Sequence, residues 1–137
     1  MIALKSYPDK GVSMKPKHLA KMVEIDHQMT LLEQNSNNKE IALEILSTDG
    51  YLLWKVSPRL RDDKEVVLTA VANAGWSLAQ ASNRLRADKE VVVAALKHDI
   101  SAWVYMSEKL SQDKLFMFKF KLLLNEHLFW SVKPYRA

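Results

Sequence analysis

The sequence predicts an all-α fold, a short α-solenoid-like array of 25-residue helical repeats with an N-terminal capping helix. Residues 39–113 divide without a gap into three 25-residue blocks whose residue types match column by column. Self-similarity at a fixed period of about 20 to 50 residues is typical of repeat proteins. Within each block, apolar residues recur at helical spacing behind an Asn or Asp that can cap a helix. The period and the spacing together indicate stacked helical units.

The composition is that of a single domain spanning residues 1–137. This length can bury a core, and a hydrophobic fraction of 48% is ordinary for a globular protein. The absence of cysteine excludes a disulfide framework and a thiolate metal site. Lys119 and Lys121 interrupt the longest apolar run, so no stretch is predicted to cross a membrane. We therefore expect no membrane partner and a cytoplasmic location.

The first 38 residues lie outside the repeat register. Residues 1–16 are predicted to be an arm, because their turn-forming residues show no apolar period. Residues 17–38 are predicted to be a capping helix and its end, since apolar side chains keep near-helical spacing there. Terminal segments of solenoids are commonly atypical because they shield the neighbouring repeat from water.

Residues 39–63, 64–88 and 89–113 are units 1, 2 and 3, and each is predicted to contain three short helices. The first helix should end at Gly50 in unit 1 and at Gly75 in unit 2, where glycine would adopt the left-handed conformation of a C-cap. Residues 114–137 are a shortened fourth copy in the same register, called unit 4.

Proline separates the second helix of unit 1 from the third. Inside a helix Pro58 would cost about 3 kcal/mol. Directly behind Ser57 it takes the first helical position after a good N-cap, so a short third helix is expected to start there. Ser82 and Ser107 predict the same break in units 2 and 3.

Helices this short are marginal in water by themselves, so the units must stack. The expected core between units consists of three apolar columns at the 25-residue period: Ile41/Val66/Val91/Phe116, Ile45/Ala70/Ala95/Phe120 and Leu60/Leu85/Leu110. The four tryptophans occupy different columns, and we expect them to be individual core fillers.

Residues 63–92, with the sequence DKEVVLTAVANAGWSLAQASNRLRADKEVV, resemble the short tandem helical repeat family called domain of unknown function 4116. The matching features are the Asp-Lys-Glu-Val-Val openings at Asp63 and Asp88, the Gly75-Trp76 pair and Leu85. The resemblance implies tandem helical repeats of bacterial and protist proteins, some from intracellular pathogens. It brings no catalytic residues, and it extends the expected location to a host cell if the source is a pathogen.

No catalytic, cofactor-binding or metal-ligating residues are predicted, and the chain is not expected to be an enzyme. The four histidines lack metal-ligand spacing. No phosphate-binding glycine loop and no nucleophile elbow occurs.

Basic residues suggest nucleic-acid binding as an alternative function. The net charge of +4 lies mostly in unit 4, which has five basic residues and one acidic residue. Basic positions also recur at the repeat period, at Arg59/Arg84/Lys109 and Arg61/Arg86. A recurring basic stripe can bind nucleic acid or an acidic partner. Because acidic residues alternate with it, we favour ion-pair ladders between units, in which each exposed pair contributes little.

Unit 4 is the predicted binding site. Where the other units have Val, Ala and Thr, its first helix has phenylalanine and methionine, although a terminal unit should present a polar outer face. Alternating Phe and Lys would suit an edge strand, but the repeat register favours a helix. We predict a protein-interaction module, such as a small bacterial effector, inhibitor or adaptor. Burial against unit 3 and a homodimer are the alternatives at this surface. The predicted partner-binding residues are Phe116, Phe118, Lys119, Phe120, Lys121 and Trp130.

Overall fold

The computed structural model describes the backbone of residues 16–131 and the side chains of residues 18–122 and Asn125. All but the last residue of the predicted arm, 1–16, lies outside the described residues, as does the end of unit 4 from residue 132 onwards.

The fold is all-α, as predicted, and the described residues contain no strand. The solenoid-like arrangement of the units stays a prediction. In chain order the elements are α1 (Pro16–Gln34), α2 (Lys39–Thr48), a 3₁₀-helix (Gly50–Lys55), α3 (Pro58–Arg61), α4 (Lys64–Asn73), 3₁₀-helices (Gly75–Gln80 and Leu85–Ala87), α5 (Lys89–His98), a 3₁₀-helix (Ile100–Tyr105), α6 (Glu108–Ser111) and α7 (Lys114–Ser131).

Capping side chains set the helix starts at the same position in each unit. The Asp63 carboxylate accepts from the N–H groups of Glu65 and Val66 at 3.0 and 3.2 Å, and Asp88 does the same for α5. The hydroxyls of the three column serines each accept an N–H three residues later at 3.3 Å. These bonds satisfy amides that a helix start leaves free.

The prediction that Gly50 and Gly75 are left-handed C-caps is wrong. Neither glycine lies in the left-handed region, and Asp49 and the extended residue Ala74 end the helices instead. Glycine is needed because the next unit comes too close for a side chain. A Cβ on Gly50 would overlap the carbonyl oxygen of Ala70, and a Cβ on Gly75 would lie 2.5 Å from that of Ala95.

The core lies between successive units. Helix α4 packs against α2 on one side and α5 on the other, and the long 3₁₀-helices of units 1 to 3 pack on one another in the same order. The three predicted core columns are confirmed as buried, except that Ile41 is only partly buried. Helix α1 packs against α2 and the first 3₁₀-helix.

The three tryptophans whose side chains are described are not core fillers, and that of Trp130 lies outside the described residues. Trp54, Trp76 and Trp103 are 47%, 44% and 50% exposed. A 3₁₀-helix has about three residues per turn, so Tyr51 and Trp54 share one outward face. Trp103 occupies the column of the buried Leu53 and Leu78. It is exposed because α7 continues as one helix and supplies no 3₁₀-helix to cover it.

Candidate partner-binding site

Helix α7 carries the predicted binding residues on two different faces. Phe116 and Phe120 are buried, each with 6% of its surface exposed, whereas Phe118 is 61% exposed. Lys119 and Lys121 are exposed. With about 3.6 residues per turn, residues four apart share a face and residues two apart lie on nearly opposite faces. The predicted site is therefore two surfaces rather than one.

Trp130, the sixth predicted residue, is the last residue but one of α7. Its side chain is outside the described residues, so its membership of the site stays a prediction.

Helix α7 is one continuous helix. The Asp113 carboxylate caps it by accepting from the Phe116 N–H at 3.0 Å. No proline occurs in unit 4 before Pro134. The helix runs on to Ser131, and the expected helix, rather than an edge strand, is confirmed.

The α7 outer face is the surface formed by Lys114, Leu115, Phe118, Lys121 and Leu122. Leu115 is 62% exposed, Phe118 61% and Leu122 51%. These three apolar side chains follow the spacing i, i+3 and i+7 along two turns of the helix. The stretch from 114 to 122 contains no acidic residue, so the face is both apolar and cationic. Sequence reasoning missed Lys114, Leu115 and Leu122, although the helical spacing around Phe118 was a usable signal.

The opposite side of α7 forms the α5–α7 groove, which is an opening of about 230 Å³ between these two helices. The described residues that line it are apolar except for two lysines: Lys89, Val93, Leu96, Phe116, Lys119 and Phe120. The predicted Phe116, Lys119 and Phe120 thus belong to the groove, while Phe118 and Lys121 belong to the α7 outer face.

The recurring arginines hold neighbouring segments together. Arg84 donates to Asp62 through Nε at 3.0 Å to the carboxylate and through an Nη at 2.6 Å to the carbonyl oxygen. Arg59 makes the same pair of contacts with Asn37, at 2.7 and 2.9 Å. The Ser82 hydroxyl and then Arg84 lower the pKa of Asp62 below its ordinary value. These contacts support the ladder interpretation over a free basic stripe.

Two absences and one hydrogen bond complete the description of these residues. Among the side chains of residues 18–122 and Asn125, no three of His, Cys, Asp or Glu stand close enough to hold a metal ion. The His98 imidazole accepts a backbone N–H through Nδ1 at 3.1 Å. Over the same span, no helix combines the length and hydropathy that a membrane span requires.

Comparison with known proteins agrees with the resemblance seen in the sequence. Residues 38–86 match the family model described as "Domain of unknown function (DUF4116)". The match covers unit 1 and nearly all of unit 2, and it ends before α7. No curated protein and no solved structure was found to match the chain. The function must therefore be argued from the surfaces of the molecule.

Proposed function

We propose that this protein is a protein-interaction module whose α7 outer face binds an acidic, amphipathic segment of a partner protein. The observation that carries the proposal is the exposure of Leu115, Phe118 and Leu122 on two successive turns, at 62%, 61% and 51%. Clustered exposed apolar side chains mark interaction surfaces, because their removal from water stabilises a complex. Such a module would serve as an effector, inhibitor or adaptor.

The spacing of these residues fits helix-mediated recognition. Amphipathic helices dock through anchors at i, i+3, i+4 and i+7, which is the pattern of Leu115, Phe118 and Leu122. An aromatic residue at the centre of such a face is a common energetic anchor. Phe118 has that central position.

The charges of the face favour a partner over a second copy of the chain. Lys114 and Lys121 flank the apolar residues, and a twofold pairing of this face would bring the lysines of both copies together. Like charges at an interface are costly, whereas carboxylates on a partner would be attracted. Self-association as a homodimer is therefore the less favoured form of the proposal.

The test uses Phe118→Asp, with Val23→Asp as the matched control. Val23 is a 48% exposed apolar residue on α1, so both changes place a carboxylate on an exposed helix face. The probe is a synthetic amphipathic peptide with leucines at i, i+3 and i+7 and glutamates elsewhere. We expect the parent and Val23→Asp to bind it and Phe118→Asp to lose binding at least tenfold while keeping its circular dichroism spectrum. Equal binding by all three proteins would refute the proposal.

Sedimentation of the same proteins tests the homodimer. A dimer in the parent that dissociates in Phe118→Asp would favour self-association through the α7 outer face.

Nucleic-acid binding is the second candidate, and the exposed Lys114, Lys119 and Lys121 favour it. Binding through phosphate contacts weakens steeply with salt. A gel shift at about 50 mM salt that vanishes at about 200 mM would support it. Absence of any shift at the lower salt concentration would dismiss it.

A further inference from the structure

The contact between units 3 and 4 differs from the two before it. At the first two contacts, Gly50 lies against Ala70 and Gly75 against Ala95. At the third, the same columns hold Ile100 and Phe120. Within the described residues, the backbones of α5 and α7 do not approach each other as those of α4 and α5 do. Ile100 in the 3₁₀-helix and Phe120 on α7 thus put large side chains where the earlier contacts have glycine and alanine.

The sequence of unit 4 also lacks the acceptor of a polar link that recurs at the first two contacts. The Gly50 N–H donates to the Asn73 Oδ1 at 2.7 Å, and the Gly75 N–H donates to the His98 Nδ1 at 3.1 Å. The same column of unit 4 holds position 123, a leucine, and leucine offers no hydrogen-bond acceptor.

The result of the wider spacing is the α5–α7 groove. Its volume of about 230 Å³ can hold an alkyl chain of about seven or eight heavy atoms, at about 30 Å³ for each atom. Val93, Leu96, Phe116 and Phe120 make its walls apolar. Apolar cavities of comparable size bind small apolar molecules in preference to water.

The lysine at the start of α5 has one carboxylate fewer than its counterparts. Lys39 contacts Asp63 at 2.9 Å and Glu65 at 2.7 Å. Lys64 repeats the arrangement with two carboxylates, at 3.0 and 2.7 Å. Among the described residues, Lys89 pairs with Asp113 alone, at 2.8 Å, because Leu115 stands where the glutamate would be. No described carboxylate takes the place of the second partner.

A second ammonium group lines the same groove. Lys119 is exposed and makes no ion pair with any described residue. The Asp113 carboxylate is bound to Lys89 and to the Phe116 N–H. The groove therefore combines an apolar floor with the ammonium group of Lys119, which has no ion-pair partner among the described residues.

We infer that the α5–α7 groove binds a small aliphatic carboxylic acid, with its alkyl chain between Phe116, Phe120 and Val93 and its carboxylate between Lys89 and Lys119. The ligand carboxylate takes the place that Glu65 and Glu90 have at the other two contacts. The alkyl chain of the ligand displaces water from the apolar walls of the groove. This site is separate from the α7 outer face.

The first test is calorimetric titration of the full chain with sodium octanoate, below the concentration at which it forms micelles. We expect affinity to rise by about fourfold for each methylene from butanoate to octanoate and to stop rising with longer acids that outgrow the groove. Octylammonium, which has the same chain and the opposite charge, should bind at least tenfold more weakly. Equal binding of octanoate and octylammonium, or no octanoate binding at millimolar concentration, would overturn the inference.

The second test locates the site with charge variants. Lys119→Glu should lower octanoate affinity at least tenfold, whereas Lys21→Glu, the same change on the exposed surface of α1, should not. Leu115→Glu restores the carboxylate found in the other units, and we expect it to pair with Lys89 and to compete with the ligand. If Lys119→Glu and Leu115→Glu both bind octanoate as the parent does, the site is not this groove.

A third variant fills the groove without changing charge. Val93→Phe should abolish binding of octanoate, and its thermal unfolding is measured alongside to establish that it is folded. Full octanoate affinity in a folded Val93→Phe protein would contradict the inference. If this variant does not fold, the charge variants decide alone. Peptide binding by the α7 outer face should be unaffected by Val93→Phe, so this site and the proposed function succeed or fail independently.

Discussion

The backbone N–H of Gly75 donates to the Nδ1 of His98, a residue 23 positions further along the chain, at 3.1 Å. One unit earlier, Gly50 and the side-chain oxygen of Asn73 make the same contact at 2.7 Å. Gly75 is buried, so its N–H depends on this acceptor. An imidazole nitrogen and an amide oxygen therefore have the same structural role, which is to link one unit to the next.

Substitution of His98 tests that role. We expect His98→Asn to keep the stability of the parent, because the amide oxygen can accept the Gly75 N–H as Asn73 accepts that of Gly50. His98→Ala should lower the free energy of unfolding by about 1 to 3 kcal/mol, since a buried N–H loses its partner. Urea unfolding of the three proteins measures the difference. Equal stability of the alanine variant and the parent would show that the bond contributes nothing.

Truncation of the phenylalanines in α7 tests the division of its faces. Phe116 is 6% exposed, and we expect Phe116→Ala to lower the free energy of unfolding by about 3 kcal/mol, because it enlarges an apolar void. Phe118 is 61% exposed, and Phe118→Ala should change stability by less than about 0.5 kcal/mol. Chemical denaturation monitored by circular dichroism gives both values. A larger loss for Phe118→Ala than for Phe116→Ala would mean that α7 is oriented differently.

Stability should fall in acid because aspartates between units have lowered pKa values. Bonds from Ser82 and Arg84 lower the pKa of Asp62, and bonds from Lys89 and the Phe116 N–H lower that of Asp113, both from 3.8. Below that value the unfolded chain binds more protons than the folded chain, so falling pH favours unfolding. The contribution is fully present above about pH 4 to 5 and is lost as the pH drops through the lowered values.

Asp62→Asn is the matched variant for this pH dependence. Asn37 already accepts from Arg59 at 2.7 Å, so an amide at position 62 should keep the contact with Arg84 while removing one titrating group. We expect the urea midpoint of the variant to change less between about pH 6 and about pH 3 than that of the parent. An unchanged pH profile would exclude Asp62 as a contributor.

Much of the fold was predictable because it follows from the repeat period. The buried columns Val66/Val91 and Ala70/Ala95 were identified from register alone, and so were the capping Asp63 and Asp88. The role of Gly50 was not predictable. The sequence shows that a side chain is absent there, but it does not show whether the backbone conformation or a close neighbour requires that absence. Trp103 is exposed because α7 continues as one helix where the earlier units have a 3₁₀-helix. The repeat period does not predict that difference.

The candidate site was predicted as a segment but not as surfaces. The sequence placed Phe116, Phe118 and Phe120 together because they are close in the chain. Helical geometry separates them. A helical-wheel projection of the predicted helix would have placed Phe116 and Phe120 on one face, and Phe118 on another face with Leu115 and Leu122. The groove lined by Val93 and Leu96 was beyond sequence reasoning, because it results from the distance between two helices.

The close contact of Gly50 with Ala70 is repeated by Gly75 with Ala95, and this makes the first two junctions interchangeable. A chain with residues 64–88 duplicated in tandem would regenerate the glycine contact, the N–H bond to Asn73 and the two-carboxylate lysine at the new junction. The bonds that the Asp62 carboxylate accepts from Ser82 and Arg84 would be lost there, because Ala87 would replace the aspartate. We therefore expect that the molecule can be lengthened internally by whole units, while α7 and its two surfaces stay as they are.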